Sequence, residues 1–511
     1  MPGTTTRALR NSVFQGLTQV VTWALSWVLL IILPRFLGDA GFGKLFLGLS
    51  YSMVLGALMN MGVNNYLIKQ VAILNPDAAS PAEKSSNDAA LRELLGNVFA
   101  LKIMLSVAAY ALLACLVFIF PYDPLTRQVI LIICAASCIS NLGMTAGGVF
   151  HGLESMLQPN LALIVEKTVA TAGCTVLLLL GYELIPICFV YVAAAAANSA
   201  VSLYLLARRV RFKLIWDKNY LKQLLIGGVP FLVWIVFGEI YVRVDVLMLS
   251  FLTRDSVVGW YGAAFRIYAT LLFVPHMLNT VVFPPLARLG ADTTNNVSFS
   301  QAACRVMNLL LSVAFPISAG VFTVAAPLVL LLYGEGPFTN SIVSLRIFSG
   351  CILLVCVDVL LGSVLIARGK QKQWSYMAVI AAVFNPLMNL WMIPLSQELW
   401  GNGGIGAATA TLLTEGLMMF GALVLLPAGI LSSQNLVTAA KAAACALFMV
   451  FVLRLWGIDN VPVIAVTGTL IYGILALLVR LLPPSDIHHI LHAVGLQNRG
   501  LKIQRLLGIK N

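Results

Sequence analysis

Long apolar runs dominate this chain, many of them near the ~20 residues an α-helix needs to cross the hydrocarbon of a bilayer. They are bounded by polar, Gly or Pro residues and lie near 12–34, 43–68, 94–120, 127–150, 159–181, 184–207, 221–252, 257–284, 302–333, 341–366, 374–394, 404–427, 437–456 and 460–482. Only 10% of the residues are charged and 60% are hydrophobic, against about a quarter charged in soluble domains. The expected fold class is therefore an all-α polytopic membrane protein with about 14 transmembrane helices. The first run is too long for a cleavable signal and lacks a small-x-small site after it, so it is expected to remain as a span. All nine cysteines fall inside apolar runs and none forms a C-x-x-C, which argues for small buried hydrophobes and against disulfides or a thiolate metal site.

Basic residues set the orientation. The link "ARRVRFKLIWDKNYLK" carries Arg208, Arg209, Arg211, Lys213, Lys218 and Lys222, and a later link reads "ARGKQK". Both alternate with "PYDP", "GYE", "YGEGPFTN", "SQELWGNG" and "GIDN", which hold no Lys or Arg. Positive charge marks the cytoplasmic side, so both termini are expected there. Much of the net charge of +12 is this orientation signal, and no nucleic-acid partner is implied.

The two halves resemble each other. "LGDAGFGKLF" at 37–46 aligns with "TRDSVVGWYG" at 253–262, pairing Asp39 with Asp255 and Gly43 with Gly259. "NMGVNNYLIK" at 60–69 aligns with "NTVVFPPLAR" at 279–288, and "HGLESMLQ" at 151–158 with "RGKQKQWS" at 368–375. Six spans separate equivalent positions, so the repeats share one orientation, the parallel-repeat plan. The expected organisation is an N-lobe at 1–210, a C-lobe at 211–430, two further spans at 431–484 and a basic amphipathic tail at 485–511 on the cytoplasmic leaflet.

Ionisable residues at membrane depth are expensive and mark transport paths or structural pairs. "GEIYVRVDVLMLSFL" holds Glu239, Arg243 and Asp245. Glu239 and Arg243 are one turn apart and suited to a structural ion pair, whereas Asp245 faces elsewhere and needs another partner. The first half also carries Arg35, Lys44, Lys102, Glu166 and Lys167; the second carries Arg266, Arg346, Asp358 and Glu415. A net-positive first half suits an anionic substrate, and an acidic second half suits a coupling cation. For Arg35 and Lys44 snorkelling to headgroups is the competing account; for Lys102 and Lys167 the two readings stand level. In "AAVFNPLMNLWMIP" Asn385 and Asn389 share a face, and Pro386 removes the helical partner of the Ala382 carbonyl. These oxygens suit either a small cation or an Asn pair bonded across helices. Thr409 and Thr411 follow in "GNGGIGAATATLLTE", with Glu415 a turn beyond. No phosphate-binding loop, H-E-x-x-H or G-x-S-x-G occurs, so neither an enzyme nor an ATP-driven pump is expected.

"LPRFLGDAGFGKL", "RVDVLML…VVGWYGAAFRI", "VVFPPLARL" and "ARGKQK…NPLMNLWMIP…GNGGIGAATATLLTE" resemble the polysaccharide-synthesis oligosaccharide flippases. These are a branch of the multidrug/oligosaccharidyl-lipid/polysaccharide exporter superfamily. The resemblance implies two six-helix lobes around a V-shaped cavity, with two extra C-terminal helices. It implies alternating access that moves an undecaprenyl-pyrophosphate-linked glycan to the outer leaflet of a bacterial inner membrane. No cofactor is implied beyond a coupling Na+ or H+; a glycan polymerase and glycosyltransferases of the same pathway are the implied partners. Carried over from related peptidoglycan-precursor flippases, the ion-coupling set is Asp245, Asn385, Asn389 and Thr409, with Asn389 where those relatives hold an acid. The basic cavity set, matched by lobe, is Arg35, Lys44, Lys102 and Lys167, to which Arg266 is added from the second half. A cation-coupled multidrug exporter of the same superfamily is the alternative reading.

Overall fold

The computed structural model describes residues 2–74, 81–291, 296–427, 429–457 and 459–481. The expected amphipathic tail, with His488, His489 and His492, lies outside them. Within hydrocarbon a backbone must satisfy its own polar groups, which leaves helices and closed barrels. Among the described residues the regular structure is helical throughout. Twelve helical stretches are long and apolar enough to cross a membrane. The first, Phe14–Asn60, covers 47 residues, about 70 Å at 1.5 Å per residue and more than twice the hydrocarbon thickness. It is interrupted at Gly38, whose φ of 68° breaks the helical path, so two of the expected spans run together here. The helix carrying Glu239, Arg243 and Asp245 lies outside those twelve stretches.

The chain divides into two compact units, residues 1–263 and 264–511. The first holds α1 (Pro2–Asn60), α2 (Val63–Leu74), α3 (Pro81–Ile119), α4 (Pro124–Gly152), α5 (Leu157–Leu179), α6 (Leu184–Arg209), α7 (Lys218–Leu252) and the start of α8 (Asp255–Leu271). Met61 and Gly62, both with positive φ, end α1. The short α2 then buries Val63, Leu67 and Val71, one residue per turn, against Leu91, Leu95 and Val98 of α3 and Val149 of α4. Within this unit α7 packs on α1, α2 and α3. The basic link explains this. Phe212 stacks on Phe99 with centroids 4.9 Å apart, and the Asp217 amide donates to Asn97 Oδ1 at 3.0 Å. Asp217 then caps α7 by accepting from Asn219 N at 2.8 Å, a standard N-cap.

The second unit holds the rest of α8, then α9 (Phe273–Ala291), α10 (Asn296–Tyr333), α11 (Ser341–Ala367), α12 (Gln371–Trp400), α13 (Gly403–Leu425), α14 (Ser433–Leu455) and α15 (Val461–Leu478). The central α11 packs against α9, α10 and α13, and α12 lies along α13. The α14–α15 pair sits on α10, where Met449, Leu453, Ile464 and Tyr472 form a small core. Tyr472 Oη also donates to the Ser312 carbonyl at 2.9 Å.

Candidate functional site

Two clusters of polar groups stand out, one in each unit. The first surrounds Lys44. Its Nζ donates to Asp123 Oδ1 at 2.8 Å, Thr126 Oγ1 at 2.7 Å and Asp255 Oδ2 at 2.7 Å. Asp123 is placed by its own role as N-cap of α4, with Pro124 in the first turn. Burial opposes charge on Asp123, but hydrogen bonds from Lys44 and Thr126, with the Lys44 charge, outweigh it and hold the carboxyl at about 2. Beside this cluster Tyr122 Oη is bonded to Tyr51 Oη at 3.0 Å and Ser250 Oγ at 2.8 Å. Phe120 rests on Phe251 with centroids 4.5 Å apart.

The aligned segments 37–46 and 253–262 meet here, and they meet reciprocally. A Cβ on Gly43 would overlap the Asp255 carbonyl, and one on Gly259 would overlap the Asp39 carbonyl. Only glycine permits backbones that close. Lys44 bonds Asp255; Trp260, the aligned counterpart of Lys44, donates Nε1 to Asp39 Oδ2 at 2.9 Å. Each half thus presents the same carboxylate to the residue that follows the other half's glycine. The repeat seen in sequence is a local two-fold contact in space.

The remaining basic residues expected at an anion site lie on separate helices, α3, α5, α1 and α8. Lys102 is fully buried, its Nζ held by Asn60 Oδ1 at 3.1 Å and by the Asn60 carbonyl and Asn141 Oδ1 at 3.4 Å each. Lys167 is half-buried on α5, beside Glu166, which accepts from Asn198 Nδ2 at 2.7 Å. Arg35 is exposed and Arg266 half-buried. On α7, Glu239 and Arg243 are half-buried. Asp245 is buried, and its Oδ2 accepts from Tyr261 Oη at 2.8 Å. Asp245 belongs to the first unit, and Asn385, Asn389 and Thr409 belong to the second.

In the second unit α12 does bring Asn385 and Asn389 together. Asn389 Nδ2 donates to Asn385 Oδ1 at 2.8 Å and to the Asn385 carbonyl at 3.1 Å, next to Pro386. The threonine that joins them is Thr414, whose Oγ1 accepts from Asn385 Nδ2 at 3.4 Å. Thr409 bonds back to its own helix at the Ile405 carbonyl, 2.8 Å away. Next to Thr414 comes Glu415, on the α13 helix that packs against α11 and its Asp358. Both acids are buried, and neither oxygen of Asp358 meets a hydrogen-bond donor among the described residues. Sequence reading registered these two acids singly; the packing of their helices on each other was not readable.

Residues 8–290 match the sequence model of the family described as "Polysaccharide biosynthesis protein". The chain belongs to that family. Residues 159–478 also match the model of the lipid II flippase MurJ family, so the polysaccharide biosynthesis family assignment and a MurJ likeness overlap across the middle of the chain. Among curated relatives, a probable flippase AglR of Haloferax volcanii is 28% identical over 179 residues, 34% of this chain and 35% of the relative. A probable lipid II flippase MurJ of Haemophilus influenzae is 26% identical over 178 residues, 33% of this chain and 35% of the relative. These matches span about a third of each relative's length. A solved structure of a lipid II flippase MurJ in an inward closed conformation shares the fold, with a TM-score of 0.70 at 16% identity, covering 92% of this chain and 98% of that one.

Proposed function

We propose that this family member is a flippase that carries an undecaprenyl-pyrophosphate-linked oligosaccharide from the cytoplasmic to the outer leaflet of a bacterial inner membrane. It works by opening alternately to either side, coupled to a cation gradient. The observation that carries this reading is the reciprocal contact of segments 37–46 and 253–262. A contact with local two-fold symmetry, held by hydrogen bonds and one bridging lysine, can part without unfolding either partner. That is what a closure on one side of an alternating carrier requires. Membership of a polysaccharide biosynthesis family supports a glycan-bearing substrate. Of the five basic side chains expected to meet an anionic headgroup, Lys44 and Lys102 are committed to internal partners in this conformation. Pyrophosphate contact is assigned in the first place to Lys167, half-buried on α5.

Reconstitution tests this directly. Purified protein in liposomes should move a fluorescent lipid-pyrophosphate oligosaccharide between leaflets, read by accessibility to an external quencher, and Lys167→Ala should slow it about tenfold, the cost of one charge-assisted contact of ~1.4 kcal/mol. Transport of a cationic dye with no movement of the glycolipid would reject the flippase reading in favour of a drug exporter.

A further inference from the structure

We infer that Arg346 and Arg454, gathered on the ring of Phe322, form a binding site for the headgroup phosphate of an anionic phospholipid. The three side chains come from three helices of the second unit. Phe322 lies on α10, and α11 and α14 both pack on that helix. The Arg346 guanidinium stands 5.5 Å from the centre of the Phe322 ring, and the Arg454 guanidinium 5.7 Å from the same centre. Both distances are within the range at which the negative face of an aromatic ring attracts a cation. A ring quadrupole carries no net charge, so it gathers the two cations without neutralising them.

No protein group supplies the missing negative charge. Neither arginine pairs with a carboxylate among the described residues. Glu335 and Asp459, in the links that follow α10 and α14, are exposed and make no pair with them. The Arg346 Nε is buried and meets no hydrogen-bond acceptor among the described residues. A buried donor left without an acceptor is costly, and the planar guanidinium fork matches phosphate oxygens two at a time. One phosphate between the arginines would supply both the charge and the acceptor.

The surroundings favour a lipid over a soluble anion. Phe322 is itself 37% exposed. Val343, one turn from Arg346, and Phe451, one turn from Arg454, are exposed apolar side chains on the same helix faces, the kind of surface that spans offer to acyl chains. Trp456, 61% exposed, caps α14 two residues after Arg454; an aromatic at the end of a spanning helix marks the level of the headgroups. Snorkelling accounts for one arginine near a helix end, but not for two from different helices converging on one ring. The repeated helices alone cannot make this site, since Arg454 lies on α14, outside the internal repeat.

Native mass spectrometry of the purified full-length protein tests this, with phosphatidylglycerol and phosphatidylcholine as probes. The wild type should retain phosphatidylglycerol in preference to phosphatidylcholine. Arg346→Gln and Arg454→Gln should each weaken phosphatidylglycerol binding about tenfold, the loss of one charge-assisted contact, and leave phosphatidylcholine unchanged. Phe322→Leu keeps both charges and an apolar side chain but removes the ring that gathers them, and should weaken binding several-fold. Arg346→Lys and Arg454→Lys serve where a Gln variant unfolds; they keep the charge, lose the fork, and should bind more weakly than the wild type. Equal retention of the two phospholipids by the wild type, unchanged phosphatidylglycerol binding in the double Gln variant, or no effect of Phe322→Leu would each overturn the proposal. Tighter binding of inorganic pyrophosphate than of phosphatidylglycerol would overturn the lipid assignment in favour of a free anion.

Discussion

Lys44 shows how a single side chain can be read one way in sequence and another in space. Near the end of an apolar run it suits snorkelling or an anion contact, but its ammonium is spent on Asp123, Thr126 and Asp255. Lys44→Met should leave two carboxylates facing each other without their cation. Because both acids are partly exposed, the cost is on the order of 1 kcal/mol, roughly fivefold in the closed population. Thiol accessibility of a cysteine placed at Ser250 would report it. The pH dependence has a definite sign. Asp123 is depressed in the structure, so its contribution to this contact is full above the ordinary aspartate value of about 3.9 and is lost as pH falls through about 2. Closure measured from pH 5 to 8 should not respond to this group. The threonines make a second residue-scale case. Thr409 and Thr414 are five positions apart, about 140° around a helix, and sequence alone does not say which faces α12. Thr414→Val should cost about 0.6 kcal/mol by losing an interhelical bond, and Thr409→Val much less, since its hydroxyl serves its own backbone. Thermal unfolding of the two purified variants compares them.

At the scale of elements, what sequence made legible was what solvation dictates. Apolar runs fixed where helices lie, because an unpaired backbone group in hydrocarbon is prohibitive. Asp39, Gly43, Asp255 and Gly259 carried the repeat. Contact between the repeats was hidden, since a glycine in a helix says that something comes close and does not say what. The partners of Gly43 and Gly259 are each other's segments, over two hundred residues away. The packing of the helices that carry Asp358 and Glu415 was hidden for the same reason, as was the packing of α7 on α1 to α3, which depends on Phe212 and Asp217 in a link that reads as a mere basic loop. The glycine contact yields a sharp expectation. Gly43→Val sets a branched side chain against the Asp255 carbonyl, an overpacking cost of about 1–3 kcal/mol paid only while the segments touch. The variant should insert normally yet populate the closed arrangement several-fold less, and Gly259→Val should reproduce it because the contact is reciprocal. Limited proteolysis in the 120–123 loop would register both.

For the whole molecule the question is whether the reciprocal contact must part during each cycle or serves as a fixed rivet. A reversible cross-link decides. With cysteines replacing Lys44 and Asp255 in an otherwise cysteine-free chain, a short bifunctional thiosulfonate should join the two positions, since the native side chains already bridge that gap. If segments 37–46 and 253–262 separate to release glycolipid to the outer leaflet, the joined protein should lose transport in liposomes, and reductant should restore it to the rate of the unlinked double variant. The unlinked variant is the essential reference, because removing Lys44 by itself weakens closure. A rivet predicts the opposite pattern: cross-linking would leave the rate unchanged or raise it by replacing the lost ion pair with a covalent tie.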